Sequence, residues 1–232
     1  MLMAAGRGER MRPLTDTCPK PLLSVRGKPL LQWHLEALAA GACSRVLINT
    51  AWLGEQICQR FGAQFTPPTD PAGAAPLPIR YSNEGQDFGA ALETAGGICR
   101  ALPSLCRPDD PDPMFWVLAG DVFTPDFRFA AEAVRRFKAG GQLAHLWLVP
   151  NPEHNPRGDF GIDAQGLALN LGADDTSPRY TYSTIGLYRR ALFEPPWCDI
   201  APGNPHGVKA ALAPLLRAAM DQGRVSAELF HG

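Results

Sequence analysis

The sequence predicts an α/β fold in which a mostly parallel sheet is flanked by helices. Three observations point that way. Short apolar runs alternate with segments of helical spacing over the first 150 residues, the order expected of β–α units packed around a parallel sheet. Phe115–Ala119 (FWVLA) is apolar throughout, as a strand buried on both faces has to be. After Pro150 the alternation weakens into short strand-like segments. The 232 residues read as one domain, 1–232, with a first part over 1–150 and a smaller part, 151–232, that contains irregular β structure.

Taken in order, Leu2–Ala4 makes a short first strand. Pro29–Ala40 (PLLQWHLEALAA) has helical apolar spacing and stops at Gly41. Arg45–Thr50 (RVLINT) reads as a buried strand and Leu53–Phe61 as the next helix, and the Pro/Gly/Ala-rich stretch 66–78 as a loop. Ile79–Ser82 is a third strand. Glu93–Leu102 is a helix that Pro103 ends, because proline has no N–H to give. The apolar strand 115–119 is followed by a helix, Phe127–Lys138, and by a strand, Leu143–Val149. Segments 159–162, 167–171 and 180–188 are short strands. Val208–Gln222 is a helix that Pro214 either kinks or starts.

Composition excludes several classes of function. Hydrophobic content is 45%, normal for a globular core, and the net charge is −1. That balance leaves no electrostatic footprint for nucleic acid or for an acidic membrane surface. No apolar run approaches a membrane span, and the N-terminus lacks the apolar segment of a secretory signal, so a cytoplasmic location is expected. The six cysteines are scattered with no CxxC pair, so free thiols are expected rather than a zinc site or a disulfide frame.

The chemistry is concentrated in residues 3–21, MAAGRGERMRPLTDTCPKP. Gly6 and Gly8 let the backbone approach a ligand and adopt positive φ at little cost. Backbone N–H groups of Ala4-Ala5-Gly6-Arg7-Gly8, with Arg7, Arg10 and Arg12 nearby, suit a polyphosphate. Pro19-Lys20-Pro21 holds one lysine on a stiffened segment. Neither GxxxxGK[ST] nor GxGxxG is present, since Met11 stands where the third glycine of the latter belongs. Gly120-Asp121 directly follows the strand 115–119. Ligands of open α/β sheets bind beyond the carboxyl ends of strands, and a carboxylate there suits Mg²⁺; a turn aspartate is the alternative reading.

Ala4-Ala5-Gly6, Gly8, Arg10-Met11, Pro13-Leu14-Thr15 and Pro19-Lys20-Pro21-Leu22 together resemble the signature of the sugar-phosphate nucleotidyltransferases, LAAGxGxRM followed by PKPL. The resemblance implies the Rossmann-like nucleotide-diphospho-sugar transferase fold. It also implies an enzyme that joins a nucleoside triphosphate to a sugar 1-phosphate and releases pyrophosphate. Gly6, Gly8 and Arg10 would hold the triphosphate, Lys20 would draw the two anionic substrates together, and Asp121 would bind Mg²⁺. Arg10, Lys20 and Asp121 are thus the implied catalytic residues.

The same resemblance extends along the chain. Ser82-Asn83-Glu84-Gly85 stands where the family reads the nucleobase, which assigns Glu84 and Gly85 to the nucleotide; residues 86–91 are an insertion relative to that pattern. Glu93-Thr94-Ala95-Gly96-Gly97 corresponds to a segment bordering the sugar and base. It implies sugar contacts by Glu93, Thr94 and Gly96, with close helix packing as the alternative use of the glycines. Asp159, in Gly158-Asp159-Phe160-Gly161, either binds the sugar or makes a turn. Thr184, in Tyr182-Ser183-Thr184-Ile185-Gly186, lies on the strand that closes the family's sugar pocket. His154 reads as a surface histidine. The spacing from Asn151-Pro152 to Phe160 and the ending GRVSAELFHG are most similar to the family's uridylyltransferases, which implies UTP and N-acetylmuramic acid 1-phosphate. Guanylyl transfer to mannose 1-phosphate, or thymidylyl or uridylyl transfer to glucose 1-phosphate, is the alternative. A nucleotide-sugar-binding module without catalysis is a reading of another class. It is motivated by the family's W-x-D-V-G-T motif, whose aspartate is a second metal carboxylate and which lies beyond Gly232. A monomer or small homo-oligomer is expected.

Overall fold

A computed structural model describes residues 1–41, 43–68 and 75–232, so the loop expected over 66–78 lies partly outside the described residues. Its strands are β1 (Leu2–Ala4), β2 (Ser24–Val25), β3 (Lys28–Pro29), β4 (Val46–Thr50), β5 (Gln64–Phe65), β6 (Leu77–Asn83), β7 (Met114–Ala119), β8 (Ala144–Val149), β9 (Gly161–Ile162), β10 (Ala168–Leu169), β11 (Thr181–Arg189) and β12 (Val225–Leu229). Its helices are α1 (Leu14–Thr17), α2 (Leu30–Ala40), α3 (Gly54–Phe61), α4 (Glu84–Phe88), α5 (Glu93–Leu105), α6 (Ala131–Ala139) and α7 (Leu212–Met220).

One eight-stranded sheet runs β12-β8-β11-β7-β1-β4-β6-β5. β7, β1, β4 and β6 are mutually parallel, and β12 is parallel to β8. β11 is antiparallel to both β7 and β8, and β5 is antiparallel to β6. From β1 the chain first builds outward through β4 and β6, then returns to place β7 on β1's other side. The carboxyl ends of β1 and β7 therefore flank the point where strand order reverses, where open α/β sheets bind ligands.

Strand alternation splits the core between the two faces. In β4, Leu47 joins one cluster and Val46 and Ile48 the other; in β7, Val117 opposes Trp116 and Leu118 in the same way. One face is covered by α5 and α7 through Ile98, Leu102, Leu212 and Leu216. The other is covered by α2, α3 and α6 through Leu31, Leu35, Ile57 and Phe137.

Three of the expected helices have other limits than the sequence suggests. The helix of Glu93 continues through Pro103 to Leu105. Pro103 has no N–H for the Cys99 carbonyl, but the Gly203 N–H donates to that oxygen at 2.8 Å, so the defect is repaired from outside the helix. The helix expected from Phe127 starts only at Ala131. Phe127 and Phe129 instead pack edge-on against Trp116, at 6.2 and 5.1 Å between ring centres, and burying two large rings outweighs an extra helical turn. The last helix is shorter than expected, Leu212–Met220. Pro214 sits in its first turn, where backbone N–H groups have no helical acceptor anyway.

His34, on α2, is 2% exposed. Its Nε2–H donates to the Val122 carbonyl at 2.7 Å and so ties α2 to the segment that carries Asp121. Burial lowers its pKa, against the smaller opposing pull of the Val122 carbonyl and the Asp121 charge. A group with a depressed cationic pKa binds fewer protons folded than unfolded, so stability falls as pH drops below the unfolded value of about 6.5. His34→Gln is therefore expected to lose less melting temperature than the wild type between pH 7 and pH 5. Parallel pH curves for the two proteins, measured by calorimetry, would show that another group is responsible.

Candidate functional site

β1 delivers its last residue, Ala4, into the site with a fixed orientation. Contrary to the expectation that the Ala4 N–H serves a polyphosphate, it donates to Asn49 Oδ1 at 2.8 Å, and Asn49 Nδ2 donates to Glu84 Oε1 at 2.7 Å. The second carboxylate oxygen of Glu84 accepts the Leu92 N–H at 2.8 Å. Asn49 and Glu84 are both essentially inaccessible to solvent. Burial raises the Glu84 pKa, and the bonds from Leu92 and Asn49 and the charge of Arg100 only partly offset it. The carboxylate is thus a bracket between the glycine–arginine loop and the start of α5. A Cβ on Gly97 would stand 2.7 Å from Glu84 Oε1, and one on Gly96 would stand 2.4 Å from the Val208 carbonyl. The glycines of ETAGG therefore serve close packing at these two positions. Gly85 packs its Cα face on the Ala51 backbone and lines a separate cleft beside α3.

The loop after β1 is held open. Gly8 has φ +68°, and a Cβ there would meet Thr15 Cγ2 at 3.0 Å and Lys20 Cβ at 3.2 Å. Thr15 Oγ1 donates to the Gly8 carbonyl at 2.9 Å. Gly6 does not have positive φ, contrary to the expectation for it; its Cα faces space with nothing within 4 Å. Among the described residues, the N–H groups of Gly6, Arg7 and Gly8 have no acceptor in the protein. The three arginines divide. Arg12 pairs with Asp16 at 2.8 Å, and Arg7 lies 4.2 Å over the Trp52 ring. Arg10 is exposed, with no ion pair among the described residues.

Lys20 and Asp121 meet across the loop, with Nζ 2.7 Å from Oδ2 and both side chains largely but not fully covered. They line two clefts at once. One, of about 390 Å³, is walled by Arg7, Gly8, Glu9, Arg10 and Met11. The other, of about 360 Å³, is walled by Ala4, Ala5, Gly6, Asn49, Glu84 and Glu93, among others. The second shares Met3, Glu93, Thr94 and Ala119 with a larger cavity of about 600 Å³, which also takes in Asp159, Tyr182 and Thr184. The result is a string of three spaces with the Lys20–Asp121 pair at its first junction.

Two lining residues hold strained backbone: Glu93 at φ 60° and Thr184 at φ 68°. Such angles cost a side-chain-bearing residue on the order of 1–3 kcal/mol and gather at ligand sites. Thr184 lies where the pairing of β11 with β8 slips between Tyr182 and Gly186, and its Oγ1 is buried without a partner. Asp159 accepts from Tyr182 N at 2.8 Å and from Asn155 Nδ2 at 3.2 Å. His154 is exposed and lines none of the three spaces. Sequence reasoning missed Asn49, although an amide inside the apolar run RVLINT was a signal, and it missed Arg217, which also lines the large cavity.

Asp121 is also the residue to test against Mg²⁺. Its Oδ1 has no protein partner among the described residues, and it borders both the loop cleft and the adjoining one. Among those residues no cluster of three or more acidic, His or Cys side chains could cage a metal. One carboxylate supplemented by phosphate oxygens and water fits the habits of Mg²⁺.

An α/β sheet with an open glycine–arginine loop and a lysine–carboxylate pair at its switch point defines a nucleotide-handling transferase. The sequence model of the nucleotidyl transferase family matches residues 1–169, and the chain belongs to that family. It is 42% identical to an N-acetylmuramate alpha-1-phosphate uridylyltransferase of Neisseria meningitidis serogroup B, over all of this chain and 89% of that protein. A protein of the same description from Caulobacter vibrioides is 35% identical, over 94% of this chain and 97% of that one. A UTP–glucose-1-phosphate uridylyltransferase of Synechocystis is 34% identical, over 93% of this chain and 54% of its own length. A crystal structure from Bacillus anthracis, described as a glucose-1-phosphate thymidylyltransferase in complex with a sucrose, superposes with a TM-score of 0.70. It covers all of this chain and 86% of that one at 17% identity, a likeness of fold. Among the described residues no helix is long and apolar enough to cross a membrane.

Asn49→Ala removes both bonds of the amide and leaves Glu84 Oε1 buried without a donor. The expected loss is about 1–3 kcal/mol of unfolding free energy, read from urea denaturation. An unchanged midpoint would mean that the Ala4–Asn49–Glu84 chain holds nothing together.

Proposed function

We propose that the chain transfers the uridylyl group of UTP to N-acetylmuramic acid 1-phosphate and releases pyrophosphate. The observation that carries this reading is the Lys20–Asp121 pair, set between the glycine–arginine cleft and the space leading to the large cavity. The relatives that match along nearly the whole chain supply the choice of nucleotide and sugar.

An oxygen of the sugar phosphate attacks the α-phosphorus of UTP, and the bond from that phosphorus to the bridging oxygen of pyrophosphate breaks. The nucleophile is already anionic near neutral pH, so no side chain has to accept a proton. The work left to the protein is positioning and charge neutralisation. The N–H groups of Gly6, Arg7 and Gly8 and the Arg10 guanidinium, which have no protein partner among the described residues, are available to bind the outgoing phosphates. Lys20 stands between the two anionic substrates and offsets the charge that builds up between them. Asp121 would hold Mg²⁺, which would supply further charge neutralisation at the α-phosphate. Glu93 and Asp159 present carboxylates to sugar hydroxyls in the large cavity.

The test is pyrophosphate release with Mg²⁺ and each of three pairs: UTP with N-acetylmuramic acid 1-phosphate, GTP with mannose 1-phosphate, and dTTP with glucose 1-phosphate. The first pair is expected to turn over fastest. Lys20→Ala and Asp121→Ala are each expected to lower kcat by about 100- to 1,000-fold, the scale for losing one preorganised charge. A faster second or third pair would reassign the substrates. Nucleotide binding without release from any pair would make the chain a binding module.

A further inference from the structure

Three charged side chains line the large cavity: Glu93, Asp159 and Arg217. Arg217 comes from α7 and lies beside Leu212, Ala213 and Leu216, which form an apolar wall of the same space. Its guanidinium carbon stands 5.1 Å from the centre of the Phe160 ring, and Nη1 donates to Asn170 Oδ1 at 2.6 Å. The side chain is thus held from two directions. Yet among the described residues no carboxylate forms an ion pair with it. Asp221 is kept one step away, since its Oδ1 accepts from Asn170 Nδ2 at 2.9 Å and Asn170 intervenes. Asp159 accepts one hydrogen bond at each oxygen, from Asn155 Nδ2 and from the Tyr182 N–H, and makes no ion pair with Arg217. Arg217 is therefore a fixed, half-buried cation with free donors that no carboxylate pairs with directly among the described residues, although Glu93 and Asp159 line the same cavity.

We infer that Arg217 determines sugar specificity by binding a carboxylate carried on the substrate's ring. This rests on the reading given under Proposed function. A ring that carried only hydroxyls would leave the guanidinium without an acceptor of matching charge. N-acetylmuramic acid differs from N-acetylglucosamine by a 3-O-lactyl ether, a carboxylate beside a methyl group. The carboxylate matches the planar fork of an arginine, and the methyl group matches the wall of Leu212, Ala213 and Leu216.

The experiment measures kcat and KM with UTP and three acceptors: N-acetylmuramic acid 1-phosphate, its lactyl methyl ester, and N-acetylglucosamine 1-phosphate. It compares the wild-type protein with Arg217→Met and Arg217→Lys. The wild type is expected to favour the free acid over the ester and over the unsubstituted sugar by about 10- to 100-fold in kcat/KM, the worth of a hydrogen bond to a charged group. In Arg217→Met that preference disappears through a raised KM for the acid alone. In Arg217→Lys, which keeps the charge without the fork, it is intermediate.

A wild type that does not distinguish acid from ester, or an Arg217→Met that loses all three acceptors equally, overturns this inference and leaves the uridylyltransferase reading standing. If no acceptor reacts with UTP, both readings fall. UTP affinity and melting temperature of each variant, expected to stay near wild type, separate a lost contact from a lost fold. Should Arg217→Met not fold, the ester comparison in the wild type and the Arg217→Lys variant decide the matter.

Discussion

A buried carboxylate ties this structure together. Glu84 is fully enclosed, and an ionised group there is costly unless its oxygens are satisfied. One oxygen takes the Asn49 amide, and through it the Ala4 N–H; the other takes the Leu92 N–H. Four segments are thereby pinned to a single point: the end of β1, β4 near its end at Asn49, the start of α4 and the residue before α5. Gly97 has to be glycine for Glu84 to lie where it does. The glycine–arginine loop springs from one end of this bracket and the strained backbone of Glu93 from the other, so the two sides of the groove are fixed relative to each other.

The site combines held and unheld groups in a consistent way. Groups that set geometry are hydrogen-bonded to other parts of the chain: Asn49, Glu84, His34 and Thr15. Among the described residues, the N–H groups of Gly6, Arg7 and Gly8, the Arg10 side chain and the buried Thr184 Oγ1 have no protein partner. A protein tolerates unsatisfied donors and positive φ at side-chain-bearing residues only where the surrounding structure enforces them. Here the slipped pairing of β11 enforces Thr184, and the bracket at Leu92 enforces Glu93.

Much of the architecture was legible because the strands are short apolar runs and the helices between them are amphipathic. β1, β4 and β7 lie within a residue of where the pattern puts them. Helix limits were less legible, since other parts of the chain decide them. Pro103 stops a helix only if nothing else accepts its duty, and Gly203, 100 residues later, does. Phe127 and Phe129 have helical neighbours in sequence but find Trp116 in space. β12 alternates Val225, Ala227 and Leu229 with Ser226 and Glu228, a strand period that sequence reasoning missed, and it lies at the sheet edge beside β8.

By itself, the sequence determined the class of fold, the family, and the loop built on Gly8, Arg10 and Lys20, because each rests on local pattern: apolar period, the conformational freedom of glycine, and the stiffness of proline around a lysine. The tertiary structure alone decided which polar residues are brackets and which are free. Asn49, Glu84 and Arg217 carry side chains whose roles depend on partners more than 30 residues away. Whether a carboxylate is spent on a backbone N–H, or a guanidinium left without a counter-charge, is set by what the fold brings within 3 Å, and no local pattern encodes it.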